Sequence, residues 1–188
     1  MMPRFKFTNH IVLLALCVLT VGCSRTSVGE LAGALEDQDH EARYDAAKKL
    51  EKLGPEAVGA VDELAATLSD PAPKVRYRSA KALSKIGIGA APAAEAMAQA
   101  LSNAEPKTRY YLVKALANVE DDAIVALEDL ISILAEDDDP RTRYYAAKAL
   151  GKIGKEASTA LPGLEKAEKD PDKKVRKAVA EAIAKVKP

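Results

Sequence analysis

The sequence predicts an all-α protein, a right-handed α-solenoid of five antiparallel helix pairs. Three observations predict it. Ala and Leu dominate an apolar fraction of 48% that contains no Trp and two Phe, an excess of good helix formers. An arginine recurs at Arg43, Arg76, Arg109, Arg143 and Arg176, at intervals of 33, 33, 34 and 33 residues, which is the self-similarity of a repeat array. Within each period, apolar residues fall at helical spacing, with Pro and Gly between the runs.

In chain order, residues 1–22 have the layout of an export signal: Arg4 and Lys6, an apolar stretch from Ile11 to Val21, then small Gly22. The stretch falls short of the roughly 20 apolar residues that a spanning helix needs. The run Leu19-Thr20-Val21-Gly22-Cys23 resembles the lipobox of bacterial lipoproteins, with Thr20 where leucine is commonest. That resemblance implies cleavage before Cys23, a diacylglycerol on its thiol, and a domain anchored to a membrane of the bacterial cell envelope without spanning it, exposed to the periplasm or exterior. Residues 23–27 are then the lipidated N-terminus and a short linker, and residues 28–188 the folded part, expected to ride close to the bilayer.

The repeat units are about 24–53, 54–86, 87–119, 120–153 and 154–188. Seven residues after each arginine stands Leu50, Leu83, Leu116, Leu150 or Ile183, and three further on Leu53, Ile86, Val119, Ile153 or Val186. In the second unit Val75, Ser79, Leu83 and Ile86 share one stripe at about 100° per residue, which makes this stretch the second helix of the pair. Ala57, Ala60, Val61, Leu64 and Leu68 form the stripe of a first helix, repeated as Ala90, Ala93, Ala94, Met97 and Leu101, and begun in the first unit by Val28, Leu31 and Leu35. Pro71, Pro73, Pro106, Pro140 and Pro171 are expected between the two helices of a pair, and Gly54, Gly87 and Gly154 just after the second helix, where a left-handed cap is common. The last unit places Glu168 where earlier units have Leu68, Leu101 and Leu134, and Glu165 where the fourth has Ile131. A polar outer face is what a terminal cap requires, so the array is expected to end there.

Periods of 33 and 34 residues also suit ankyrin and tetratricopeptide arrays, whose signature residues are absent. Asp70-Pro71-Ala72-Pro73-Lys74-Val75-Arg76, followed by Ala80, Ala82-Leu83 and Ile86-Gly87, instead resembles the short HEAT repeat of phycobilisome-lyase-like proteins, and Asp170-Pro171 through Val175-Arg176 to Ile183 repeats it. The resemblance covers the chain from Val28 onward. It implies that the second helices line a concave surface, and that the recurrent polar pairs form a hydrogen-bonded ladder between adjacent units. Its members are Asp37 with Arg43, Asp70 with Arg76, Asn103 with Arg109, Asp137 with Arg143 and Asp170 with Arg176, a brace without reactivity.

Composition narrows the function. The 28 basic and 28 acidic residues cancel; removing Arg4 and Lys6 with the leader leaves 26 against 28, which gives no nucleic-acid footprint. The two cysteines are Cys17 and Cys23, and beyond Cys23 a single histidine, His40, remains, so neither a His-based metal site nor an acid/base pair assembles. The acidic runs Glu120-Asp121-Asp122 and Glu136-Asp137-Asp138-Asp139 lie where helices are expected to begin, and read as caps rather than calcium ligands. Gly87-Ile88-Gly89 lacks the strand and third glycine of a phosphate loop. No cofactor, metal or catalytic residue is expected.

One column remains. Tyr44, Tyr77, Tyr110 and Tyr144 follow the first four arginines, with Lys177 in the fifth copy, and four residues on stand Lys48, Lys81, Lys114, Lys148 and finally Glu181. An angle of about 200° from the start of the stripe puts these pairs on the face away from it, as a ledge of tyrosines flanked by ammonium groups. Such a ledge suits an extended peptide or protein surface, acidic or polar, or a glycan. The functional expectation is a non-enzymatic, monomeric scaffold or adaptor that binds a partner on its concave face. The alternatives are a lyase-like or chaperone-like accessory factor for an enzyme or cofactor-bearing client, and a structural envelope lipoprotein.

Overall fold

A computed structural model of the chain describes residues 26–187; the leader-like segment, Cys17 and Cys23 lie outside the described residues. The architecture is the expected α-solenoid of five antiparallel helix pairs, with no strand among the described residues. The pairs are α1 (Val28–Ala34) with α2 (His40–Leu53), α3 (Val61–Ala66) with α4 (Pro73–Ile86), α5 (Ala94–Leu101) with α6 (Pro106–Leu116), α7 (Leu127–Glu136) with α8 (Pro140–Ile153), and α9 (Leu161–Ala167) with α10 (Lys173–Val186). The second helices α2, α4, α6, α8 and α10 stack directly on one another in one layer, and the shorter first helices form the other. The core lies between the layers. Leu50, Leu83, Leu116 and Leu150 of the arginine-linked column are wholly buried and Ile183 nearly so, each worth about 1.5–3 kcal/mol of apolar burial.

Local chemistry sets the boundaries. Ser27 and Glu30 form a reciprocal capping box at the start of α1. Asp39, Asp139 and Asp172 accept amide hydrogen bonds at the N-termini of α2, α8 and α10. Pro73, Pro106 and Pro140 occupy the first turn of their second helices rather than the loop, where a missing N–H costs nothing.

The first helices differ from expectation. Each from the second unit on opens with a 3₁₀ segment, Gly54–Ala60, Gly87–Ala93, Glu120–Ala126 or Gly154–Ala160, before the α-helix proper. The reason is in the spacing of its alanines. Ala57 with Ala60, Ala90 with Ala93, Ala123 with Ala126 and Ala157 with Ala160 are all buried, and residues three apart eclipse on one face only in a 3₁₀ helix. Their small size lets successive 3₁₀ segments touch. Gly54, Gly87 and Gly154 enter these segments at φ 59°, 79° and 71°, and Glu120 holds the equivalent position at φ 59°, in the region where a side chain is strained. Its carboxylate accepts a hydrogen bond of 2.8 Å from Lys152.

Close approach of second helices is the tightest requirement. A Cβ on Gly151 of α8 would lie 2.9 Å from Cα and 3.1 Å from Cβ of Ala182 in α10. Gly151→Ala is therefore expected to destabilise the fold by about 1–3 kcal/mol through overpacking, and Leu116→Ala by about 2–5 kcal/mol through a cavity. Urea unfolding followed by circular dichroism measures both.

Candidate partner-binding face

At the turns between the two helices of a pair, the arginines of the first four units look both ways. Nη1 of Arg43, Arg76, Arg143 and Arg176 donates to the carbonyl of Asp37, Asp70, Asp137 and Asp170 in its own unit, each at 2.7 Å. The rest of the guanidinium reaches the next unit. Arg43 holds Asp70 through two bonds of 2.6 and 3.0 Å, Arg143 holds Asp170 at 2.7 and 3.0 Å, and Arg109 Nε donates to Asp137 at 2.5 Å. The same carboxylates fold their own turns: Asp70 accepts the Ala72 amide at 2.8 Å, Asp137 that of Asp139 at 2.9 Å, and Asp170 that of Asp172 at 2.8 Å. The arginine is thus paired forward, to the aspartate of the following unit.

Asn103 is the correction. It is exposed, and Arg76 is met by the Glu105 carboxylate instead. A neutral amide brings no charge to pair, and Glu105, standing as N-cap of α6 where the second unit has Ala72, supplies it. Burial pushes the Asp70 carboxyl up, but Arg43 and the Ala72 amide together hold it below the ordinary carboxylate range. Arg143 holds Asp170 low directly, and each of these arginines is raised in turn, Arg43 by Asp70 and Arg143 by Asp170.

In the second turn of the second helices, directly after the bracing arginines, lie the tyrosines. Tyr44, Tyr77, Tyr110 and Tyr144 lie in the expected column but do not stand clear of packing; all four are half-buried. They mesh edge to face with a second column that the sequence reading passed over, Tyr111 and Tyr145. Ring centroids are 5.4 Å apart for Tyr77 and Tyr111, 4.9 Å for Tyr110 and Tyr111, 5.7 Å for Tyr110 and Tyr145, and 5.1 Å for Tyr144 and Tyr145, the separations that aromatic quadrupoles favour. In the second unit Arg78 takes the place of that second tyrosine. Its guanidinium lies 5.1 Å from the Tyr44 ring and 5.6 Å from the Tyr77 ring, and donates to the Tyr44 hydroxyl at 2.9 Å. Five rings and one guanidinium thus run unbroken from Tyr44 to Tyr145, and Tyr144 closes the ladder. The doublets Tyr110-Tyr111 and Tyr144-Tyr145 were the available signal. Burial raises the Tyr110 and Tyr111 hydroxyls, so both stay protonated donors.

The lysines lie where expected, but are not equivalent. Lys48 sits 5.6 Å from the Tyr44 ring, Lys114 5.6 Å from Tyr145, and Lys148 5.7 Å from Tyr144, within cation–π range. Lys81 lies 5.9 Å from Tyr77 but is also ion-paired at 2.9 Å with Glu51, which holds Arg78 at 2.7 Å as well. Burial raises the Glu51 carboxyl, but Lys81 and Arg78 together outweigh that and bring it below its ordinary value. Lys81 and Arg78 therefore share a single compensating carboxylate. A second basic row, Lys74, Lys107, Arg141 and Lys174, lies near the start of the second helices. Lys74 pairs with Glu41, and Arg141 pairs with Asp139 while lying 5.1 Å from the Tyr110 ring.

Two grooves open between these features. One of 300 Å³ is bounded by Tyr77, Lys107, Tyr110 and Arg141, and the next, of 500 Å³, by Arg141, Tyr144, Lys174 and Lys177. A larger cleft of 610 Å³ lies among Ala65, Ala96, Ala100, Arg76 and Asn103, on the side of the first helices. Among the described residues no cluster of His, Cys, Asp or Glu is placed to hold a metal ion, and no helix is long and apolar enough to cross a membrane. What the face offers is ring area, hydroxyl donors and cations for recognition.

The sequence profile of HEAT repeats matches residues 28–103 and 94–184. No curated protein sequence matches the chain. Among solved structures, the chain is similar to an engineered protein at 26% identity and a TM-score of 0.74, over 85% of this chain and 78% of the other. It is similar in fold to computationally designed armadillo repeat proteins for modular peptide recognition, at 20% identity and a TM-score of 0.74, over 85% of this chain and 82% of the other. The complex of CpcE and CpcF of phycocyanin lyase from Nostoc sp. PCC7120 matches at 22% identity and a TM-score of 0.68, over 98% of this chain and 70% of the other.

The depressed carboxyls fix the pH behaviour. Asp70, Asp170 and Glu51 titrate lower in the folded chain than they would unfolded, so their stabilisation is complete above the unfolded carboxylate range. It is lost as pH falls below about 4 through the folded values. Thermal unfolding from pH 7 to pH 2 is expected to show that loss, and Asp70→Asn with Asp170→Asn to flatten it; an unchanged slope in the double variant counts against the brace.

Proposed function

The chain belongs to the HEAT-repeat family, and on that premise we propose that it is a non-enzymatic scaffold, held at a bacterial envelope membrane by a lipid on Cys23, that binds an extended acidic protein segment on its tyrosine face. The observation that carries the binding reading is the unbroken ladder of six rings and the Arg78 guanidinium that crosses four units. Rings locked edge to face form a rigid surface whose ordering entropy is already lost on folding, so little more is lost on binding. The cations around it are uneven. Lys74, Arg78 and Lys81 pair with Glu41 and Glu51, whereas Lys48, Lys107, Lys114, Lys148 and Lys174 have no carboxylate within ion-pair distance among the described residues, and all of these but Lys48 lie in the third to fifth units. The partner is therefore expected along the third to fifth units, with acidic groups opposite these lysines. Peptide recognition by the designed armadillo relatives, of the same fold, is consistent with an extended partner. The likeness to the CpcE and CpcF complex supports a second reading, an accessory factor acting on a client protein.

Because Tyr111 and Tyr145 lean on the other tyrosines, removing rings would also loosen the stack, and charge reversal is the cleaner test. Lys107→Glu, Lys114→Glu, Lys148→Glu and Lys174→Glu together are expected to weaken capture of an extended poly-glutamate peptide by about tenfold or more and to abolish its salt dependence, with helicity intact. Titration calorimetry reads this; equal affinity in a well-folded variant moves the site elsewhere. The anchor has its own test: labelling with a radioactive fatty acid is expected to mark the parent chain and not Cys23→Ser, and label retained in the variant would refute lipidation of Cys23.

A further inference from the structure

The large apolar side chains that stay exposed among the described residues are Val58, Ile88 and Val125, at 53, 59 and 49%. All three lie in the 3₁₀ segments, Gly54–Ala60, Gly87–Ala93 and Glu120–Ala126. Those segments touch in succession along one edge of the solenoid. Gly89 draws the units together there: a Cβ on it would lie 2.9 Å from Val58 Cγ2. Val58 thus packs in part on the next unit, yet about half of each of the three side chains stays open.

The same edge receives the start of the described chain. Because α1 runs antiparallel to α2, its N-terminus meets the segment at which α2 ends, and Val28 Cγ1 lies 3.6 Å from the Cβ position of Gly59, next to Val58. Residues 24–27 alone separate Cys23 from Val28, a span of no more than about 17 Å even when fully extended. The last turns of α2, α4, α8 and α10 add Lys52, Lys85, Lys152 and Lys185 to this edge, long stems with a charge at the tip that suit an interface between apolar and aqueous layers. Acidic Glu56, Asp121, Asp122 and Glu156 lie on it too, and Glu120 pairs with Lys152, so the edge has no strong field.

We infer that this 3₁₀ edge, with Val58, Ile88 and Val125, is the surface by which the domain rests on the lipid bilayer. The inference rests on Cys23 being the anchor. Three half-exposed side chains are too few to hold a free protein on a membrane, but a tether this short converts their insertion into an intramolecular event at high effective concentration. The edge then faces lipid, the turns between the paired helices face away from it, and the tyrosine ladder beside those turns stays open to a partner.

The test uses the purified lipidated protein reconstituted in phosphatidylethanolamine and phosphatidylglycerol vesicles. Spin labels are placed through Val58→Cys, Ile88→Cys and Val125→Cys, and through Ser69→Cys and Ser102→Cys on the opposite edge. At 58, 88 and 125 the label is expected to meet a water-soluble nickel relaxant several-fold less often than at 69 and 102, and to meet oxygen more often. Equal access to nickel at both edges overturns the inference, as does protection from nickel and oxygen alike, which marks a protein partner or a second copy over the edge. Mass spectrometry of the N-terminal peptide separates the two levels. A lipid on Cys23 without protection at 58, 88 and 125 sinks this inference alone, and a Cys23 without lipid sinks the anchor reading with it.

Discussion

The charge-assisted hydrogen bonds from Arg43, Arg76, Arg109 and Arg143 to a carboxylate of the following unit set how successive second helices meet, and the remaining surfaces depend on that spacing. A helix pair of this length cannot bury its apolar faces alone. It gains them only if its neighbour arrives at one distance and one rotation. The guanidinium fixes both, because one nitrogen is held by a carbonyl of its own turn and the others by the next unit's aspartate, as at Arg43 with Asp70 and Arg143 with Asp170. A planar donor held on two sides tolerates little rotation. Ala182 against Gly151 shows how close the helices then come.

From that register the molecule divides along the length of its second helices. The braced turns lie at one end with the tyrosine ladder directly beside them, and the 3₁₀ segments lie at the other end. Rings of adjacent second helices meet at centroid separations of 5.4 and 5.7 Å, Tyr77 with Tyr111 and Tyr110 with Tyr145, and the doublets Tyr110-Tyr111 and Tyr144-Tyr145 link them within one helix. Arg78 fits the same interval between Tyr44 and Tyr77 where a ring is missing. One spacing therefore yields a rigid recognition surface and, at the far edge, a row of small alanines against which 3₁₀ segments can touch.

Much of this was legible in the residues. The arginine period marked every unit, and the leucines seven residues on were read as core and are buried. What escaped belongs to interactions between units. A helical wheel drawn for one helix sends Tyr110 and Tyr144 outward; it is silent about the next helix, whose Tyr145 fills the space beside Tyr110. Glu51 neutralises Lys81 from 30 residues away, a pairing no column within one unit reveals. Asn103 was placed by alignment in a charged column, but charge and not alignment decides the partner, and Glu105 carries it. The 3₁₀ openings were present in the alanines three apart, whose stripe was taken as part of an α-helix.

A double-mutant cycle across Arg143 and Asp170 tests the central claim most directly. Arg143→Met, Asp170→Asn and the pair together are compared with the parent chain by urea unfolding at neutral pH. If the brace sets the stacking, the two changes are strongly non-additive, with a coupling of about 1–3 kcal/mol, in the upper part of the range for residues in one hydrogen-bonded network. Additivity to within about 0.5 kcal/mol would contradict it, and would leave apolar packing alone to position the units.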